Sequence, residues 1–152
     1  MKIYTASSWK NKYYPTIVEE LQASGHKVYD FRNAISTKGS GVAFNWEQID
    51  PNWENWTPEQ FEAGLNHKLA ASAFESDYYG MMNAEVCVLI LPCGKSAHIE
   101  AGFMKGIGKK LYIVMPEKDR PELTYSIADG IFSNVEQLLE VIKWKKSFTS
   151  GP

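Results

Sequence analysis

The stretch Val86-Cys-Val-Leu-Ile-Leu-Pro-Cys-Gly-Lys-Ser-Ala-His-Ile-Glu-Ala-Gly102 decides how this chain is read. Its first half is a continuous apolar run with β-branched residues, as expected of a parallel strand covered on both faces. Pro92 and Gly94 end the run, and Ser96 is a natural N-cap for a helix that follows. Glu100 is then predicted to project from the first turn of that helix, at the carboxyl edge of the sheet. Open α/β folds bind their ligands there, so a nucleophile or general base would be placed at this point.

Working outward, the same alternation continues on both sides. Lys2–Ala6 reads as a first strand and Tyr14–Ser24 as an amphipathic helix, with Ile17, Val18 and Leu21 on one side and Gly25 at its end. Lys27–Phe31 is a short strand, and Pro58 opens a helix over roughly Glu59–Met82, with a break expected near Gly64. Glu85–Leu91 and Lys110–Met115 are central strands flanking a helix over Ala97–Ile107 that Gly108 terminates. A short helix near Leu123–Ala128 and a last one near Val135–Lys145 complete the order. This predicts a flavodoxin-like three-layer α/β sandwich with a parallel sheet of about five strands.

A chain of 152 residues, 44% of them hydrophobic, is long enough for a full core, and no linker, low-complexity tract or repeat divides it. The expectation is one domain over 1–152 with a tryptophan-rich insert at about 32–57. The formal charge of −2 supplies no basic surface for a nucleic-acid backbone. No signal-peptide profile opens the chain and no apolar run is long enough to span a bilayer, so no membrane partner is expected. Of the two cysteines, Cys87 falls in a core strand and Cys93 in the loop after it. They make neither a disulfide framework nor a zinc set, so no metal or cofactor is expected and a reducing cytoplasm is the expected setting.

The insert holds Trp46, Trp53 and Trp56, with Phe44, Asn45, Glu47 and Asp50 among them, and is longer than ordinary connections in such folds. Trp53 and Trp56 read as a satellite core under the loop. Phe44 and Trp46 are the candidates for an aromatic wall against a planar ligand. The Gly94-Lys95-Ser96 triplet invites a phosphate-loop reading, which fails because the earlier glycine of that motif is Leu89 here. A loop leading into a helix N-terminus still offers backbone N–H groups to an anion, with Lys95 beside them, although a plain turn with a solvated lysine satisfies the sequence equally well. Glu100 in a first turn would complement the helix dipole even with no further role. Small neighbours Ala97, Ala101 and Gly102 leave room for a ligand, and the helix end would keep the carboxylate ionised as a nucleophile requires. His98 lies off the Glu100 face, so it reads as a loop cap or an orienting group. His26 and His67 read as structural or exposed.

These segments resemble the nucleoside 2-deoxyribosyltransferase superfamily, which also contains nucleotide N-hydrolases. Ile3-Tyr-Thr-Ala-Ser-Ser-Trp9 is similar to its first strand and ligand loop. Ser76, Asp77, Asn83 and Glu85 through Leu89 are similar to its helix-to-strand junction with an acidic residue. Ser96-Ala-His-Ile-Glu-Ala-Gly102 is similar to its nucleophile helix. The match extends from Lys2 to about Val135. It implies that Glu100 attacks C1′ of a sugar to form a glycosyl ester, that Tyr4 orients the carboxylate, and that Asp77 helps the base depart. Ser7 and Ser8 would line the sugar or its 5′ substituent, with Ala6, Trp9, Gly94, Lys95, Ser96 and His98 as further substrate-binding residues. The implied partner is a small nucleoside or nucleotide, and the implied assembly a homodimer or larger homo-oligomer whose neighbouring subunit closes each site. Met81, Met82, Phe103 and Met104 lie on helices more apolar than a monomer surface needs.

Two departures bear on the substrate. The transferases carry a further acidic residue before the nucleophile, where this chain reads Pro92-Cys-Gly-Lys-Ser96; loss of that carboxylate makes an anionic substrate more plausible than base exchange. The amide expected from a neighbouring subunit is missing from Pro121-Glu-Leu-Thr-Tyr-Ser126, where Glu122 or Tyr125 stand. Two alternatives stay open: an enzyme nearer the Toll/interleukin-1-receptor-type domains that cleave nicotinamide dinucleotides, and a non-catalytic nucleotide-binding module.

Overall fold

The computed structural model describes residues 1–33 and 44–148; residues 34–43 of the expected insert lie outside the described residues. Two compact units form. One comprises Met1–Tyr29 with Asn83–Pro152, the other Asp30–Met82.

The first unit is built on five parallel strands in the order β2-β1-β3-β4-β5: β1 Lys2–Ala6, β2 Lys27–Tyr29, β3 Val86–Ile90, β4 Lys110–Val114 and β5 Gly130–Phe132. This is the flavodoxin-like order the alternation predicts. All five residues of β3 are buried, which is why its run carries no polar face. Strand β5 has no signature in the sequence. Three residues beginning with glycine carry no period that separates a strand from a loop.

Three helices belong to this unit: α1 Tyr14–Ala23, α4 Lys95–Gly106 and α5 Val135–Phe148. (The intervening helices α2 Pro58–Leu65 and α3 Lys68–Asn83 arise in the second unit, α3 ending at the boundary.) α1 carries Pro15 in its first turn and buries Tyr14, Ile17, Val18 and Leu21. Gly25 after α1 and Gly108 after α4 hold φ of 91° and 92°, the left-handed conformation that lets each chain end reverse. α4 buries Ala97, Ala101 and Met104, so the small residues of this helix serve close packing on the sheet. Met81 and Met104 are core residues. The excess of apolar side chains read on these helices is therefore partly ordinary packing, while Met82 stays exposed.

In the second unit, two short 3₁₀ turns, Trp46–Gln48 and Trp53–Asn55, precede α2. Asn45 with Gln48, and Thr57 with Gln60, form reciprocal capping boxes at the first turn and at α2. The break expected near Gly64 is present: α2 ends at Leu65 and α3 begins at Lys68. Gly64 sits inside α2, where a Cβ would lie 2.5 Å from the Trp56 ring; the glycine admits the indole and does not break the helix. His67 caps the new start by accepting the Leu69 N–H at 3.1 Å. Trp46 packs edge-on to Phe44 and to Trp56, with ring centroids 4.8 and 5.5 Å apart, and against Phe61. Trp46 thus belongs to the same aromatic cluster as Trp56, whose indole N–H donates to Asp50 at 2.8 Å.

Candidate active site

Strand β1 turns toward β2 through α1, while β3 turns the other way through α4, so the chain diverges between two adjacent strands. That divergence opens a crevice at the strands' carboxyl ends. Tyr4 is in register with Cys87 and Ala6 with Leu89, so by the pleat all four point to the sheet face that α4 covers. The Tyr4 hydroxyl donates to Oε2 of Glu100 across this face. Tyr4 is itself fixed by stacking on Tyr29, ring centroids 5.1 Å apart and planes 9° from parallel.

The helix carrying Glu100 starts earlier than the sequence indicates. Its N-cap is Gly94, in extended conformation, and Ser96 is an exposed residue within the first turn. A serine cap is worth about 1 kcal/mol, less than the burial of Ala97, Ala101 and Met104 that sets the helix register. Glu100 therefore lies in the second turn, beyond the reach of the helix end's partial charge. It is half-buried, and burial raises its carboxyl from the ordinary 4.5 to about 7. The expectation of a dipole-stabilised carboxylate is overturned: near neutrality the group is poised between its acid and its anion.

The two turns flanking the crevice are tied together. Ser7 Oγ donates to the Ile90 carbonyl at 2.8 Å, and the buried Asn11 amide donates to the carbonyls of Ile90 and Pro92 at 3.2 and 3.0 Å. Ser8 Oγ accepts from the Lys10 N–H at 3.3 Å. Ala6 is buried and Trp9 exposed. A small cavity of about 260 Å³ sits where these turns meet, lined by Ser8, Lys10, Asn11, Pro92, Cys93 and Gly94. Asn11 is not legible in the sequence as a residue that joins the two turns. An asparagine three residues before a helix signals a cap, but nothing in the sequence signals its partners 79 and 81 positions away.

Lys95, His98, Ile99 and Gly102 recur at helical spacing on a different stripe of α4 from Glu100. They line a larger cavity of about 720 Å³, floored by Leu89, Leu111 and Ile113, whose lining does not include Tyr4 or Glu100. His98 bridges two segments there: Nδ1 meets the Gly94 carbonyl at 2.7 Å and Nε2 the Tyr125 hydroxyl at 2.8 Å. Since a carbonyl only accepts, Nδ1 donates to Gly94, and Nε2 shares a hydrogen bond with the Tyr125 hydroxyl. Burial pushes the nearby Cys93 thiol up to about 12, which keeps it protonated and unreactive. The structure thus brings Tyr4 and Glu100 together, and puts Gly94, Lys95 and His98 around the loop before α4. Asp77, on α3, and Phe44 and Trp46 belong to the second unit. Among the described residues, no three His, Cys, Asp or Glu side chains gather as a metal-binding group, and no helix is long and apolar enough to cross a membrane.

An α/β domain with a hydrogen-bonded tyrosine–glutamate pair at its strand divergence is the class this geometry defines. Among solved structures, the fold matches that of a 2-deoxyribosyltransferase from the psychrotolerant bacterium Bacillus psychrosaccharolyticus, with a TM-score of 0.60 and 18% identity, over 91% of this chain and 90% of that one. A CMP N-glycosidase of Clostridium botulinum also matches, with a TM-score of 0.49 and 13% identity, over 94% of this chain and 99% of that one. No family model and no curated protein sequence matches the chain.

Proposed function

We propose that this protein cleaves or transfers the N-glycosidic bond of a nucleoside, deoxynucleoside or nucleotide, with Glu100 as the nucleophile. The observation that carries the reading is the hydrogen bond from the Tyr4 hydroxyl to the half-buried Glu100 carboxyl at the strand divergence. The fold shared with a 2-deoxyribosyltransferase supports it. In this reading the ionised Glu100 attacks C1′ as the C1′–N bond breaks. The electron pair leaves with the base, which takes up a proton, and a glycosyl ester remains. Water then releases the sugar and restores the carboxylate, or a second base accepts the sugar. Tyr4 orients the attacking oxygen, and its O–H supports the carboxylate when the ester is hydrolysed. Asp77 is assigned the departure of the base. Ser8, Lys10 and Lys95 favour a substrate with an anionic 5′ group, in keeping with the absence of an acidic residue between Pro92 and Ser96.

The same reading takes the working species as a homodimer or larger assembly. Ile99 and Leu123 support this, being 72% and 89% exposed in the first unit, which is costly for side chains of this size in water. Light scattering at micromolar concentration measures it.

The deciding experiment incubates the protein with a panel of nucleosides, nucleotides and dinucleotides and follows released base by chromatography. Glu100→Gln should abolish release while ligand binding persists, because the amide keeps the shape and cannot form the ester. Full hydrolysis by Glu100→Gln would refute the assigned nucleophile. Binding without turnover by the wild-type protein would replace the enzyme with a nucleotide-binding module.

A further inference from the structure

The Asn11 side chain uses its whole hydrogen-bonding capacity. Its Oδ1 accepts the N–H groups of Tyr13 and Tyr14 at 2.7 and 3.1 Å, and its Nδ2 donates to Ile90 and Pro92 as above. An asparagine amide offers two donor hydrogens and an acceptor oxygen with two lone pairs, and all four are taken. The residue is 2% exposed, so none of these groups has bulk water as a substitute, and each lost partner leaves a buried polar atom unmet. One half of the amide starts α1. The other half holds the last residue of β3 and the turn that leads into α4.

That second half bears on the site. Only Leu91–Gly94 separate the end of β3 from the start of α4, so a shift of this turn is transmitted along the helix to Glu100. Tyr4, the partner of Glu100, belongs to the strand whose own exit turn holds Asn11. We infer that Asn11 is the positioning residue that locks the β1–α1 turn to the β3–α4 turn and thereby sets Glu100 against Tyr4. The role of the pair in catalysis rests on the function proposed above; the clamp itself does not.

Asn11→Asp separates the two halves, because the carboxylate still accepts from Tyr13 and Tyr14 and loses both donors toward Ile90 and Pro92. Thr5→Val serves as a matched control for stability. The Thr5 hydroxyl is buried and donates to the Tyr29 carbonyl at 2.7 Å, on the sheet face away from Glu100. At pH 8 and well below the melting temperature of either variant, Asn11→Asp should lower kcat for base release by roughly ten- to a hundredfold, with KM changed less than about threefold. Thr5→Val should keep kcat near that of the wild-type protein. A readout independent of turnover is the carboxyl titration of Glu100 by ¹³C NMR, which should move down toward the ordinary value in Asn11→Asp as the carboxyl gains water. A protein that releases no base from any substrate, but whose Glu100 titration moves in Asn11→Asp, fails the proposed function and upholds the clamp. An unmoved titration, with kcat retained or falling only in step with thermal stability as in Thr5→Val, overturns it.

Discussion

The raised Glu100 carboxyl makes a prediction about stability that needs no substrate. Burial moves the group from 4.5 to about 7, so between these values the folded protein holds a proton that the unfolded chain has released. Stability must then fall as pH rises through this window, and the full penalty is present above about pH 8. At about 1.36 kcal/mol per pH unit, the interval amounts to roughly 3 kcal/mol, an upper bound because the side chain keeps some contact with water. Glu100→Gln removes the titration, keeps the volume and keeps an acceptor for the Tyr4 hydroxyl. The variant should therefore be more stable than the wild-type protein at pH 8.5, by up to roughly 3 kcal/mol or ~6–12 °C in Tm for a chain of this size. The advantage should vanish toward pH 5. Thermal melts of the two proteins from pH 5 to 9 measure this, and every other titrating group cancels in the difference. A gap that is the same at pH 5.5 and 8.5 would refute the reasoning. For the proposed chemistry the sign is the reverse. The anion attacks, so kcat/KM should fall about tenfold per unit below pH 7, and a rate that climbs on acidification would exclude Glu100 as nucleophile.

Tyr4→Phe should keep the ring stacked on Tyr29 and lower kcat by a factor on the order of ten to a thousand, since the hydroxyl orients the carboxylate without being consumed; steady-state kinetics on an accepted substrate checks this. Lys95→Ala should raise KM for nucleotides more than for nucleosides, and equal effects would remove the start of α4 from anion binding. Gly64→Ala should destabilise the second unit by roughly 1–3 kcal/mol. The new Cβ would meet the Trp56 ring at 2.5 Å, and that ring is held by Asp50 and packed on Trp46 and Phe61. Chemical denaturation followed by tryptophan fluorescence would report it.

What the sequence shows clearly is what burial on both faces writes into it. Strand β3 is an apolar run because no residue of it meets water, and each of the two glycines after α1 and α4 sits where a left-handed residue must. What it hides are interactions between distant residues. Nothing near Gly64 in sequence says that an indole eight positions earlier occupies its missing side chain, so the glycine reads as a helix breaker. The three residues of β5 become a strand through their neighbour. Tyr112 and Val114 pair with Gly130 and Phe132, and Asp129 fixes the approach by accepting the Leu111 N–H at 2.8 Å and pairing with Lys105 at 3.0 Å.

The start of α4 shows how a small misplacement changes the chemistry. Placing the cap at Ser96 puts Glu100 in the first turn, where the free N–H groups of the helix stabilise an anion and the group stays ionised far below neutrality. With the cap at Gly94, the same residue lies two positions deeper, in the second turn, loses that field and gains the sheet as its surroundings, so burial prevails and the proton is held to about pH 7. Local preference favours serine by an amount near 1 kcal/mol, and the fit of Ala97, Ala101 and Met104 to the strands exceeds it. A carboxylate less solvated than usual is also a more reactive one once ionised. The packing that displaces the helix start is thus also what raises the Glu100 carboxyl, on which the proposed attack depends, and Asn11 ties down the turn that leads into this helix.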